Sequence, residues 1–96
     1  MRYFHRTSLA PTDVLTEADA FFAGRLAPVE STSRGRVFNG TIGEVRVTAA
    51  AEGGHYTLVT VSTDRVGESE VDKLAKRYLA LVHAQVDRSH VVRGAY

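Results

Sequence analysis

The chain contains no cysteine. That excludes a disulfide, a thiolate metal site and a cysteine nucleophile, and it fits a reducing compartment. Charge of one sign is also lacking. Twelve Lys and Arg against 11 Asp and Glu leave a net charge of +1 with histidine neutral. Duplex-binding domains show a strongly basic face instead, so no nucleic-acid partner is expected. No apolar run approaches the ~20 residues that span a bilayer, so no membrane partner is expected either. Arg2 and Arg6 interrupt with charge any signal-peptide apolar stretch near the first residue, and residence in the cytoplasm is expected. The chain carries no internal repeat and no low-complexity segment.

What is present is a globular composition. Apolar residues make up 44% and charged residues 24% of 96 residues, which suits one domain with one modest core. Arg2 to Ser8 alternates and reads as a strand, with Tyr3, His5 and Thr7 on one face and Arg2, Phe4 and Arg6 on the other. Pro11 suits a first helical turn, and Asp13, Glu17 and Asp19 favour the N-terminal half of that helix. Val14, Ala18, Phe21, Phe22 and Leu26 recur at helical spacing, and the helix should end between Gly24 and Ala27. Pro28 to Arg36 reads as a mobile, positively charged loop carrying Arg34 and Arg36, near Arg25.

Asn39-Gly40 is a hairpin signal of the type I′ kind between Val37-Phe38 and Thr41-Ile42. Ile42 is out of phase with Val45 and Val47, and a bulge at Gly43 would restore the phase. Gly53-Gly54 marks a second hairpin. A two-residue turn there pairs Ala51 with Tyr56, Ala49 with Leu58 and Val47 with Thr60. It assigns Val45, Val47, Ala49, Ala51, Tyr56 and Leu58 to the core, and Arg46, Thr48, Thr57, Val59 and Val61 to water or a partner. The last helix is expected over Ser69 to Val86, with Ser69 as N-cap and Asp72 at the third helical position, or Gly67 with Glu70 instead. Val71, Leu74, Ala75, Tyr78, Leu81, Val82 and Gln85 form its apolar stripe, widened by Leu79 and Val86. Residues 88–96 read as a tail, with Val91, Val92 and Tyr96 suggesting an added strand or a docking arm.

No constellation in the chain spells a reaction. His5, His55, His83 and His90 include no metal-ligating pair on one helical face. His5 and His55 could meet, with Glu52 or Glu44 nearby, only if their strands are neighbours. His83 and Asp87 read as a solvated helical pair, and Glu68, Glu70 and Asp72 as helix-start acidity. Gly53-Gly54 lacks the spacing, the lysine and the following helix of a phosphate loop. Arg2, Arg6, Arg34, Arg36 and Arg46 with Tyr3 and Phe4 form a basic and aromatic set, set aside on the near-neutral charge.

The expected fold is two-layer α+β in the order β-α-β-β-β-α. An antiparallel sheet of three to four strands carries two helices on one face, in a single domain over residues 1–87. In element order the chain resembles compact helix-grip folds, a likeness that carries no motif and no function. The expected core is Phe4 or Tyr3 with Val14, Phe21, Phe22, Phe38, Val45, Val47, Leu58, Leu74, Tyr78, Leu81 and Val82. The expected function is a non-enzymatic assembly domain that forms a homodimer or docks on another protein. Its interface is expected at Val59, Val61, Leu79, Val86, Val91, Val92 and Tyr96. The alternative is a small-molecule binding module with a pocket between the last helix and the sheet. Tyr3, Phe38, Tyr56 and Tyr78 would line it, and Arg46 and His55 would give polar specificity. An enzyme working through His83 or His55 ranks below both. No cofactor, metal site or catalytic residue is expected.

Overall fold

The structure, a computed structural model, describes the backbone of residues 1–94 and the side chains of residues 1–85. The elements are β1 (Arg2–Thr7), α1 (Pro11–Phe22), β2 (Ala27–Ser31), β3 (Gly35–Gly40), β4 (Gly43–Glu52), β5 (Tyr56–Thr63) and α2 (Glu70–Gly94). The strands form one antiparallel sheet in the order β1-β5-β4-β3-β2. The α+β architecture is therefore as expected, with five strands rather than three or four. The additional strand is β2, of which all but Ala27 falls in the segment expected to be a loop. All its residues are exposed, so it carries no apolar alternation to betray it, and Pro28 is tolerated because β2 is an edge.

Both helices pack on the face that carries Val45, Val47 and Ala49 of β4 and Val59 and Val61 of β5. From α1, Val14, Leu15, Ala18 and Phe22 enter this core; from α2, Val71, Leu74, Ala75, Tyr78 and Val82 do so. Phe22 is its aromatic centre, 4.8 Å from the Phe38 ring and 5.4 Å from the Tyr78 ring. The Tyr78 hydroxyl donates to the Val14 carbonyl at 2.7 Å and ties the two helices together. Phe21 and Leu81 are half-buried rather than core, and Phe4 is exposed.

The β4–β5 hairpin differs from expectation by one residue, with a large consequence. Glu52 pairs with Tyr56, so the loop is Gly53-Gly54-His55 rather than Gly53-Gly54 alone. Both glycines adopt positive φ, 64° and 74°, which lets a three-residue loop close. Ala49 consequently pairs with Val59, and Val47 with Val61. A one-residue slip turns every side chain of a strand to the other face. Val59 and Val61, expected at a partner interface, are fully buried beneath the helices, while Tyr56 and Leu58, expected in the core, face outward. Burial of a valine or leucine is worth ~1.5–3 kcal/mol, and two core valines outweigh one leucine beside an amphipathic tyrosine.

The β3–β4 hairpin is also displaced. Gly40 pairs with Gly43, so the turn residues are Thr41 and Ile42, not Asn39 and Gly40. Ile42 sits in the turn, the strand register runs unshifted, and no bulge at Gly43 is needed. Gly43 is required for other reasons: its φ is 138°, and a Cβ there would meet Asp64 Oδ1 at 2.7 Å.

The start of α2 follows the first of the two capping alternatives. Ser69 Oγ accepts the Asp72 N–H at 3.3 Å, and Asp72 Oδ2 accepts the Glu68 N–H at 3.2 Å. This is a close relative of the reciprocal capping box. The α2 backbone continues through residues 88–94, the segment read as a tail. The interface expectations at Val86, Val91 and Val92 rest on side chains outside the described ones, and Tyr96 lies outside the described residues. Among the described residues no helix is long and apolar enough to cross a membrane.

Candidate functional site

The six residues expected to line a ligand pocket are dispersed. Phe38 and Tyr78 are buried in the core between helices and sheet, where their rings pack on Phe22. Tyr3 lies on the helix side of β1, Arg46 and Tyr56 on the opposite side of the sheet, and His55 in the exposed β4–β5 loop. Of the expected interface residues with described side chains, Val59 and Val61 are core, and Leu79 is half-buried against the core cluster.

Two polar groupings form where β1 meets α2, and strand order creates both. In the first, Asp72 is fully buried on α2 and accepts the Tyr3 hydroxyl at 2.5 Å. Lys76 Nζ stands 3.3 Å from the same carboxylate and 5.7 Å from the centre of the Tyr3 ring. The Tyr3 hydrogen bond, aided by Glu68 and Lys76 and opposed by burial, holds the Asp72 carboxyl below its ordinary value. The same bond holds the Tyr3 phenol above its ordinary value. The Tyr3–Asp72–Lys76 contacts join β1 to α2. The sequence carries a signal for them in retrospect: Asp72 falls inside the apolar stripe, between Val71 and Leu74–Ala75.

In the second grouping, His5 of β1 meets His83 of α2, ring centres 5.8 Å apart and nearly perpendicular. Burial lowers the His5 pKa, and the His83 imidazole adds to the effect. His55 is elsewhere, and Glu52 is taken by Arg6 at 3.1 Å, so the His5, His55 and Glu52 set does not assemble. Among the described residues no group of three or more His, Asp or Glu side chains could hold a metal ion.

The sheet face away from the helices carries the remaining distinctive chemistry. Strand pairing sets Arg2, Ser62, Arg46, Val37 and Glu30 in one row, and Phe4, Thr60, Thr48 and Gly35 in the next. Arg6, Leu58 and Ala50 form a third. Phe4 is 61% exposed and Tyr56 39%. The Arg6 guanidinium lies 5.7 Å from the centre of the Tyr56 ring, within cation–π range. Arg46 pairs with Glu44 at 3.1 Å. Three arginines (Arg2, Arg6, Arg46) thus stand among three glutamates (Glu30, Glu44, Glu52), a mixed rather than a basic surface. At the β3 side a shallow hollow of about 160 Å³ opens beside Arg34, Val37, Arg46 and Thr48. Sequence reasoning placed Arg2, Phe4 and Arg6 on one face but could not join Tyr56 and Leu58 to them, because β5 was out of phase.

Comparison of the chain with family models, with curated proteins and with solved structures returns no match.

Proposed function

We propose that this chain is a non-enzymatic assembly domain that self-associates through the part of its sheet the helices leave uncovered. The observation that carries this reading is the cluster of Phe4, Tyr56 and Leu58 with Arg2 and Arg6 on that face. Aromatic residues and arginine are the types enriched at protein interfaces, and an exposed phenylalanine beside a half-exposed leucine favours burial on association. The mixed charge suits a self-complementary contact, in which one copy's arginines meet the other's glutamates. Light scattering across the micromolar range is expected to give a mass above that of one chain. A single-chain mass at every concentration overturns self-association.

A second reading, a small-molecule binding module, draws on the hollow beside Arg34, Val37, Arg46 and Thr48. Arg34 and Arg36 line it beside Val37 and Val47, with Glu30 also in the lining, and the two arginines suit a small carboxylate. A thermal-shift series of small mono- and dicarboxylates is expected to show stabilisation lost in Arg34→Ala. No shift with any of them removes this reading for that class.

A further inference from the structure

The two sheet edges are built differently. On the β2 edge, Pro28 supplies no N–H, and the register shifts between Pro28 and Glu30 with Val29 left over. Proline and bulges are the devices that keep an edge from pairing with another chain. The β1 edge has neither: Arg2–Thr7 is a regular strand that keeps one register with β5 throughout.

Alternation determines which β1 groups point outward. Met1 and Thr63 exchange both backbone bonds, with Thr63 N–H donating to the Met1 carbonyl at 2.8 Å and the Met1 amino group donating to the Thr63 carbonyl at 3.1 Å. Bonded and non-bonded pairs alternate along an antiparallel ladder, so Tyr3, His5 and Thr7 bond to β5. The N–H and C=O groups of Arg2, Phe4 and Arg6 therefore face outward, on an edge that no strand covers among the described residues.

Resting on the self-association reading above, we propose that two copies join antiparallel through β1, in the register that sets His5 opposite His5 of the second copy. Outward groups must meet outward groups, so the pairing is centred on a residue rather than between two. Centring on Phe4 places Arg2 opposite the second copy's Arg6, twice over, and like charges directly opposite repel. Centring on His5 places Phe4 opposite the second copy's Arg6, and the reverse, in hydrogen-bonded pairs. Registers centred nearer either end pair fewer residues.

Side-chain chemistry favours the His5 centre. Arg6 already stacks on its own Tyr56 and has its charge answered by Glu52. Its side chain is still 59% exposed, which leaves the guanidinium surface available to the second copy's Phe4. A planar guanidinium accepts aromatic rings in this way. The contact covers Phe4, the exposed aromatic of this edge, and joins two five-stranded sheets into one.

The absence of cysteine makes a direct test possible. In the proposed register the two His5 residues form a non-hydrogen-bonded pair, with Cα atoms about 4.5 Å apart, within the range a disulfide spans. Under mild oxidation of the full chain, His5→Cys is expected to become a disulfide-linked dimer, and Phe4→Cys, opposite Arg6, to remain largely unlinked. Faster linkage of Phe4→Cys overturns the register. A wild type that dimerises while neither variant links places the contact elsewhere; the edge proposal then fails and the self-association reading stands. A wild type that is a single chain throughout overturns both. Should His5→Cys not fold, Phe4→Pro and Phe4→Lys carry the test. The first removes an N–H that points away from β5, and the second faces Arg6 with a like charge. Each is expected to keep the circular dichroism of the wild type and to raise the dimer dissociation constant at least tenfold. Retention of the wild-type dimer by both overturns the proposal.

Discussion

Replacing Tyr78 by phenylalanine isolates a polar bond that crosses the core. The ring is fully buried between Phe21 and Phe22, and its hydroxyl donates to the Val14 carbonyl at 2.7 Å. Phenylalanine keeps the ring and its packing, so no cavity term enters. Val14 lies inside α1, where its carbonyl faces the N–H of Ala18 one turn on, so removing the hydroxyl leaves no orphaned acceptor. The loss is then the net worth of one buried hydrogen bond, about 0.5–1.5 kcal/mol. For a domain of this size that is a fall in Tm of roughly 4–8 °C per kcal/mol, with an unchanged denaturant m-value.

The pH dependence separates this bond from a packing effect. Burial raises the Tyr78 pKa, and the Glu17 and Asp19 carboxylates add to it. A group whose folded pKa lies above its unfolded value contributes its stability below the unfolded value and loses it as pH rises from there towards the folded pKa. For tyrosine that loss begins near pH 10 and proceeds at up to about 1.4 kcal/mol per pH unit. Phenylalanine has nothing to ionise. Urea unfolding of both proteins from pH 7 to 11 is therefore expected to show a constant wild-type advantage to about pH 9.5, then a decline and a reversal. A variant as stable as the wild type at pH 7, or a difference that stays flat through pH 11, refutes the assignment of a buried, hydrogen-bonded phenol.

Asp72→Asn sets an amide against Tyr3, Glu68 N–H and Lys76, three donors to the present carboxylate. It is expected to cost ~1–3 kcal/mol in chemical denaturation. Because the Asp72 pKa is depressed, its stabilisation is present above the unfolded value near 3.8 and is lost as pH falls through the folded value. The asparagine variant should lose that segment of acid sensitivity. His5 has a lowered pKa, so the folded state resists its protonation; stability should fall as pH drops below about 6.5 and level off below the folded pKa. Thermal melts from pH 7.5 to 5 check this, and His5→Gln should flatten the curve. Gly43→Ala combines a φ of 138° with a Cβ contact of 2.7 Å, whereas Gly53→Ala has a φ of 64° and open space. The first is expected to cost over ~2 kcal/mol and the second about 1 kcal/mol; equal costs would show that the Gly43 contact relaxes freely.

Local signals were legible where one side chain or one period decides the outcome. The Pro11 start of α1, the Ser69 cap of α2 and the stripe Val71–Leu74–Tyr78–Val82 depend on neighbours within a turn or two, and all are present. Strand phase was not legible at β5. There, Tyr56 and Leu58 compete with Val59 and Val61 for the same face, and a single residue of loop length decides between them. Val-Thr-Val alternates as well as Tyr-Thr-Leu does, so periodicity alone offers no preference. The small alanines of β4 form a close-approach surface only as far as Ala49, since Ala51 is exposed.

Strand order was equally hidden, and it controls the candidate site. The first strand could have joined either side of the meander; its place beside β5 is what brings Tyr3 to Asp72, His5 to His83 and Arg6 to Glu52 and Tyr56. None of these pairs lies within a helical turn or a hairpin, so no spacing rule reaches them. The same placement decides what can be offered to a partner. With Val59 and Val61 turned inward, the surface expected on β5 is spent on the core. The exposed aromatic chemistry passes to Phe4 and Tyr56, at the edge where β1 has neither proline nor bulge to discourage a further strand. The phase of β5 and the position of β1 are thus one determinant: together they close the helix side of the sheet and leave Phe4 and Tyr56 exposed on the opposite side, at the edge on which the proposed association draws.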